Sequence, residues 1–243
     1  MKTILQLKNV SIGFNQILYA NINAELKEGA FVCLLGINGI GKSCLLKTMA
    51  GLQEVKSGEV YIEHKALKSM DSFDLAKKIG IVLTEKLQID YLTVFELVSF
   101  GRAPYTGRRG DLSKDDKKLV QKVLEDVGIS EIGKKYFSEL SDGQKQKALI
   151  ARALAQTPEL LILDEPTTYL DIPSKIELIA LLKKLTQEKK ITVLLSTHDL
   201  DLIKDSADEF WLMGKDGEFS SGSPEEMNSS GLIANNFFRS GSK

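Results

Sequence analysis

The chain has few of the residues on which redox or zinc chemistry depends. Its 243 residues include two cysteines, Cys33 and Cys44, and two histidines, His64 and His198. The cysteines stand on either side of one glycine-rich turn. They read as buried, reduced thiols rather than as a disulfide, and the histidines complete no zinc site with them at any usual spacing. Charge of one sign is also lacking. The 32 Lys and Arg against 33 Asp and Glu leave a formal net charge of −1, which argues against an electrostatic clamp on nucleic acid. Apolar runs are only a few residues long, far short of the roughly 20 that cross a bilayer. Met1-Lys2 leads into Thr3-Ile4-Leu5-Gln6-Leu7-Lys8, which alternates too soon for a secretory leader. No internal repeat or low-complexity tract is present, and the Ser/Asn/Gly-rich stretch from Ser229 is too short for a regulatory domain. The composition fits a cytosolic enzyme with one sizeable core, or a core with an inserted subdomain.

What is present is a phosphate grip. Gly36-Ile37-Asn38-Gly39-Ile40-Gly41-Lys42-Ser43 spells G-x-x-x-x-G-K-S. The apolar run Ala30–Leu35 before it reads as a buried strand, and Cys44–Ala50 after it reads as a helix stopped by Gly51. Strand, glycine-rich turn and helix start are the context a phosphate loop requires. Glycines let successive N–H groups point into one hollow, and the helix adds partial positive charge. Lys42 is expected to reach the β- and γ-phosphates, and the Ser43 hydroxyl to ligate Mg²⁺.

Strand and helix signals alternate along the chain. Strands are expected at Thr3–Val10, Ile17–Leu26, Glu59–Ile62, Lys78–Leu83, Leu160–Leu163 and Ile191–Leu195, with a helix from Ser174 to Glu188. Between Thr93 and Gln156 the character is helical. One helix opens at Ser113 with Asp116 in capping-box position, carries Leu119, Val120, Val123, Leu124 and Val127 as its apolar stripe, and ends at Gly128. The fold class is therefore α/β: a P-loop core around a mostly parallel sheet, an N-terminal antiparallel β part, and an inserted α-helical subdomain. The expected division is a single domain over 1–243, with residues 1–88 and 157–243 as the nucleotide-binding core and 89–156 as the helical insertion.

Four more motifs follow in order. Leu160-Leu161-Ile162-Leu163-Asp164-Glu165 is an apolar strand ending in two acids. Their carboxylates lie at the carboxyl edge of the sheet, where open α/β folds bind ligands. Asp164 would hold Mg²⁺ through a water and Glu165 would polarise the attacking water; alone, the pattern is also a solvated acidic turn. Leu140-Ser141-Asp142-Gly143-Gln144 offers a hydroxyl and open N–H groups at a helix start, and is equally a good N-cap. Tyr169-Leu170-Asp171 lies just past Glu165. Ser196-Thr197-His198-Asp199 ends a strand expected to neighbour the Asp164 strand. From there His198 can reach a γ-phosphate, although a lone histidine is more often structural.

The set resembles the ATP-binding subunit of an ABC transporter over nearly the whole chain: Walker A at Gly36–Ser43, signature at Leu140–Gln144, Walker B at Leu160–Glu165, D-loop at Tyr169–Asp171 and switch His198. The resemblance implies two copies facing head to tail with ATP and Mg²⁺ between them. Each nucleotide would lie between one copy's phosphate loop and Ser141, Gly143 and Gln144 of the other. It also implies an adenine-stacking aromatic, for which Phe14 in Ile12-Gly13-Phe14-Asn15 fits; a plain core role for Phe14 stays open. Asn38, Gly39 and Asp171 join the expected nucleotide contacts.

Three positions depart from the family pattern. Glu85, in Leu83-Thr84-Glu85-Lys86, stands where a glutamine usually touches Mg²⁺ and the water. Asp142 replaces a glycine in the signature. Cys44 replaces a threonine, keeping the backbone N–H for the α-phosphate but losing a hydroxyl. The stretch from Leu92 to Val98, then Gly101-Arg102-Ala103-Pro104-Tyr105, resembles the ATPases of iron-siderophore, haem and cobalamin importers, where it helps form the groove for a permease's coupling helix. The plain reading is an amphipathic helix and a loop with solvated Arg102, Arg108 and Arg109. The resemblance thus implies an importer subunit, peripheral on the cytoplasmic face of the membrane and partnered by integral-membrane permeases, with no nucleic acid partner. The alternatives are an ABC ATPase for another substrate, or one with no membrane partner. A P-loop kinase would leave the signature and His198 unexplained.

Overall fold

The computed structural model describes residues 2–85, 89–107, 109–215 and 217–237. Two sheets share the work. A four-stranded antiparallel sheet, in the order β2-β1-β4-β5, is built from β1 (Thr3–Gly13), β2 (Ile17–Lys27), β4 (Ser57–Ile62) and β5 (Lys65–Ala66). A six-stranded sheet in the order β10-β9-β3-β8-β7-β6 comprises β3 (Phe31–Leu35), β6 (Ile79–Val82), β7 (Leu160–Asp164), β8 (Thr192–Thr197), β9 (Glu209–Met213) and β10 (Phe219–Gly222). Only β10 pairs antiparallel there.

The continuous apolar runs of β3, β7 and β8 follow from burial on both faces. Side chains alternate across a strand, and the core divides accordingly. Phe31, Cys33, Leu35, Leu161, Leu163, Val193 and Leu195 face the helices. Val32, Leu34, Leu160, Ile162 and Leu194 join the core shared with the antiparallel sheet. Both cysteines are buried and free, and burial pushes each thiol's pKa up.

Helices α3 (Val94–Ser99), α4 (Lys114–Asp126) and α5 (Asp142–Leu154) are inserted between β6 and β7. The capping box at α4 is present: Ser113 Oγ accepts the Asp116 N–H and Asp116 Oδ2 accepts the Ser113 N–H, both at 3.0 Å. Val120, Val123 and Leu124 are its buried face, and Gly128 turns the chain with φ 72°. The remaining helices are α1 (Lys42–Met49), α2 (Ser72–Lys78), α6 (Ile172–Lys189), α7 (Leu200–Ile203), α8 (Pro224–Ser229) and α9 (Leu232–Phe237).

One surface expectation is corrected. Arg102 is not solvated but buried. Its Nε donates to Asp116 Oδ1 and its Nη1 to the Ala155 carbonyl, each at 2.8 Å, and the guanidinium lies 3.8 Å from the centre of the Tyr105 ring. Ala155 is the C-cap of α5, so its carbonyl has no partner within the helix; Arg102 supplies one and ties three helical segments together. Arg109 is exposed, and Arg108 and Lys86 lie outside the described residues.

Candidate active site

The phosphate loop is shaped by two glycines whose backbones other residues rarely adopt. Gly39 has φ 77° and Gly41, the N-cap of α1, has φ 117°. A Cβ at Gly39 would meet nothing within 4 Å, so conformation rather than space selects glycine there. No side chain caps α1; its first N–H groups remain available to a ligand. Asn38 and Ser43 are exposed on the same loop. Cys44 turns its sulfur inward, where Gln53 Nε2 donates to it at 3.1 Å and also to the Gly13 carbonyl at 2.9 Å. Gln53 thus joins α1 to the turn that carries Phe14. Phe14 is 64% exposed, which removes the core alternative.

Lys42 is only 4% exposed. Its Nζ donates to the carbonyls of Gly36 at 2.9 Å and Ile37 at 3.2 Å and lies 3.1 Å from Glu165 Oε1. The buried cation is balanced by two carbonyls and a carboxylate, as a desolvated charge requires.

Opposite the loop, β7 delivers two acids. Asp164 is its last residue and is buried; Glu165 leaves the strand with φ 45°. Thr168 Oγ donates to the Glu165 carbonyl at 3.0 Å and lies 3.2 Å from Oε2. His198 follows β8, the direct neighbour of β7, and its Nδ1 is 3.7 Å from Glu165 Oε2. From the β6 side, Thr84 Oγ donates to the Asp164 carbonyl at 2.8 Å, and the next residue, Glu85, pairs at 3.4 Å with Lys47 of α1. Lys42, Glu165, His198, Asp164 and the Glu85 segment therefore converge at one edge of the sheet.

The signature's Ser141 and Gly143 line a different hollow, while its Asp142 reaches the acids' side. Ser141 caps α5, accepting the Gln144 N–H at 3.3 Å while Gln144 Oε1 accepts the Ser141 N–H at 3.2 Å. Ser141, Gly143 and Gln144 line a hollow of about 510 Å³ with Lys147 and Ser174, and no residue of 36–43 lines it. A second hollow of about 250 Å³ runs between α5 and the sheet edge, lined by Glu85, Asp142, Asp164, Glu165 and Tyr169 among others. Asp171 caps α6 by accepting the Ser174 N–H at 3.0 Å, and hydrogen bonding with the Ser174 side chain first, then with its N–H, holds the Asp171 carboxyl below the usual carboxylate range.

Two residues near the acids escaped the sequence reading. Thr84 and Ser196 contact Asp164. Ser196 lay inside a motif noticed only for its histidine, and the parallel register that sets it opposite Asp164 appears only in the fold.

Comparison with known proteins gives one answer. Residues 19–168 match the family model described as ABC transporter. The iron(3+)-hydroxamate import ATP-binding protein FhuC of Bacillus subtilis is 38% identical over 198 residues, 81% of this chain and 74% of that protein. A solved inward-facing transporter, described as of metal-chelate type, superposes with TM-score 0.84 at 27% identity, covering 96% of this chain and 88% of that one. The dimeric structure of the bacterial ABC transporter cassette MJ0796 superposes with TM-score 0.78 at 31% identity, covering 91% and 99%. With its phosphate loop, acidic strand end and signature helix in the family's order, the chain belongs to the ABC transporters, as an ATP-binding, ATP-hydrolysing cassette.

Proposed function

We propose that this cassette powers a metal-chelate importer, and that it does so as a head-to-tail pair of copies docked on membrane permeases. The observation that carries the pairing is the separation of the two half-sites. Lys42, Glu165 and His198 lie within 3.7 Å links of one another, while Ser141 and Gly143 line a hollow that no phosphate-loop residue enters. A two-fold pair would bring each hollow to the other copy's loop. The relative solved as a dimer, at 31% identity, supports pairing of two copies, and the hydroxamate import relative supports the cargo class. On the permease side, Tyr91 is 88% exposed and Phe100 is exposed beside α3, which gives a coupling helix an apolar footing.

In this reading Phe14 stacks on the adenine. The N–H groups of Asn38, Gly39, Gly41 and Cys44 cradle the phosphates, and Lys42 exchanges Glu165 for the γ-phosphate. A water attacks the γ-phosphorus and gives its proton to Glu165. The bond to the bridging oxygen breaks and ADP departs with its electron pair. His198, Ser141 and Gly143 donate to the γ-phosphate oxygens, and Asp171 reaches across the pair. Mg²⁺ fits the donor set. Ser43 Oγ and Asp164 Oδ2 accept or donate no hydrogen bond among the described residues, Glu85 adds a carboxylate, and all are oxygens, as a hard dication prefers. No cluster of three or more His, Cys, Asp or Glu that could hold a metal occurs among the described residues. Magnesium takes much of its shell from phosphate and water. When bound, it neutralises phosphate charge.

The test is Glu165→Gln. It should bind ATP yet lose turnover by roughly 10²- to 10⁴-fold, and it should elute from gel filtration as a dimer with ATP and as a monomer without. A monomer under both conditions would contradict the paired site. A permease co-purifying from detergent-solubilised membranes tests the importer assignment.

A further inference from the structure

Beneath the two acids sits a hydroxyl to which neither the motifs nor the reading above gives a role. β7 and β8 run parallel with Asp164 opposite Ser196, so both side chains project from the same face of the sheet. Ser196 is completely buried. Its Oγ donates to Asp164 Oδ1 at 2.8 Å and accepts the N–H of Glu165 at 2.8 Å. A serine hydroxyl carries one proton, so the two bonds fix each other's direction: the proton faces the carboxylate and a lone pair takes the amide. The need for such a group is local. β7 stops at Asp164, and Glu165 turns into a left-handed conformation that residues other than glycine seldom adopt. Its N–H leaves the ladder, and a buried N–H requires an acceptor.

We propose that Ser196 is a positioning residue for ATP hydrolysis, one hydroxyl that orients the Asp164 carboxylate and locks the backbone turn from which Glu165 reaches Lys42 and His198. The inference rests on the roles given above to Asp164 and Glu165. By engaging Oδ1, Ser196 leaves Oδ2 of Asp164 for the metal side of the site. By holding the Glu165 amide, it holds the base of a side chain whose two oxygens are already divided between Lys42 and His198. The competing idea is that Ser196 merely satisfies polar groups and supports the fold.

The experiment compares wild type with Ser196→Ala and with Ser196→Cys, which keeps the shape but donates weakly. Steady-state turnover, ATP binding in EDTA, melting temperature, and Mn²⁺ binding to the ATP-loaded protein by electron paramagnetic resonance are measured. Ser196→Ala should lose roughly 10- to 100-fold in kcat, with KM for ATP within about threefold. Its half-saturating Mn²⁺ concentration should rise several-fold, with ATP binding in EDTA unchanged. Ser196→Cys should fall between the two, and it carries the test alone if the alanine variant does not fold. Turnover of either variant within about twofold of wild type, or losses that track the folded fraction, would overturn the proposal. If the wild type itself hydrolyses no ATP, the roles of Asp164 and Glu165 fall and this inference with them; full activity in Ser196→Ala beside an active wild type removes this inference alone.

Discussion

Lys42→Ala separates catalysis from folding more cleanly than any other single change at this site. The lysine is buried, and its amine serves two carbonyls of its own loop and the Glu165 carboxylate. Removing it leaves Gly36 O and Ile37 O without this donor and Glu165 Oε1 without its cation. Gly36 is buried while Ile37 is exposed and Glu165 half-buried, so water can reach some of these groups but not all, and the stability loss should be about 1–3 kcal/mol. In the transition state the same amine faces phosphoryl charge in a site closed to water. Deleting one preorganised donor of that kind costs about 10²- to 10³-fold in rate. Phosphate release at saturating ATP should therefore collapse even in protein that the urea midpoint shows to be folded. Unchanged turnover would refute the phosphate-loop assignment. A loss of turnover that only followed the folded fraction would refute the charge argument.

Other consequences follow from the packing and charge around the site. Phe14→Ala should weaken ATP binding by about 1 kcal/mol and leave GTP, with its own stacking face, similarly weakened; fluorescence titration reads both. Gly101→Ala should destabilise the helical insertion by roughly 1–3 kcal/mol, because the added Cβ would fall 2.2 Å from the Arg152 carbonyl; differential scanning calorimetry checks it. The Asp116 carboxyl is held below the usual carboxylate range first by Ser113 and then by Arg102. A depressed folded pKa means stability that is present above the unfolded value and is lost as pH falls through the folded one. Wild type should thus lose more stability than Asp116→Asn between pH 5 and pH 2, measured by urea denaturation, and equal slopes would contradict the pairing.

Much of this was legible in the chain, and the reason is periodicity. Fully apolar strands with acids or glycines at their carboxyl ends mark a parallel sheet and its ligand edge together, so β3, β7 and β8 and their loops could be read directly. Caps were equally legible: Ser113 and Ser141 act through bonds three residues away, and sequence spacing encodes them. The misses share a different cause. Arg102 looked solvated because its partner, the carbonyl of Ala155, lies 53 positions away. Ser196 looked incidental because its meaning depends on strand register. The strands β9 and β10 carry no motif, and α6 begins at Ile172 rather than Ser174 because Asp171, not a later residue, is its cap. Long-range polar pairing and register are tertiary facts that no local pattern contains.

The most direct test of the shared site mixes two dead proteins. Lys42→Ala lacks a working phosphate loop and Ser141→Arg lacks a working signature. If each ATP is held between two copies, equimolar mixing recreates about a quarter of the wild-type sites, all in mixed pairs, and ATPase activity should return to about that fraction. Activity no greater than the sum of the separate variants would show that each chain hydrolyses ATP alone or not at all.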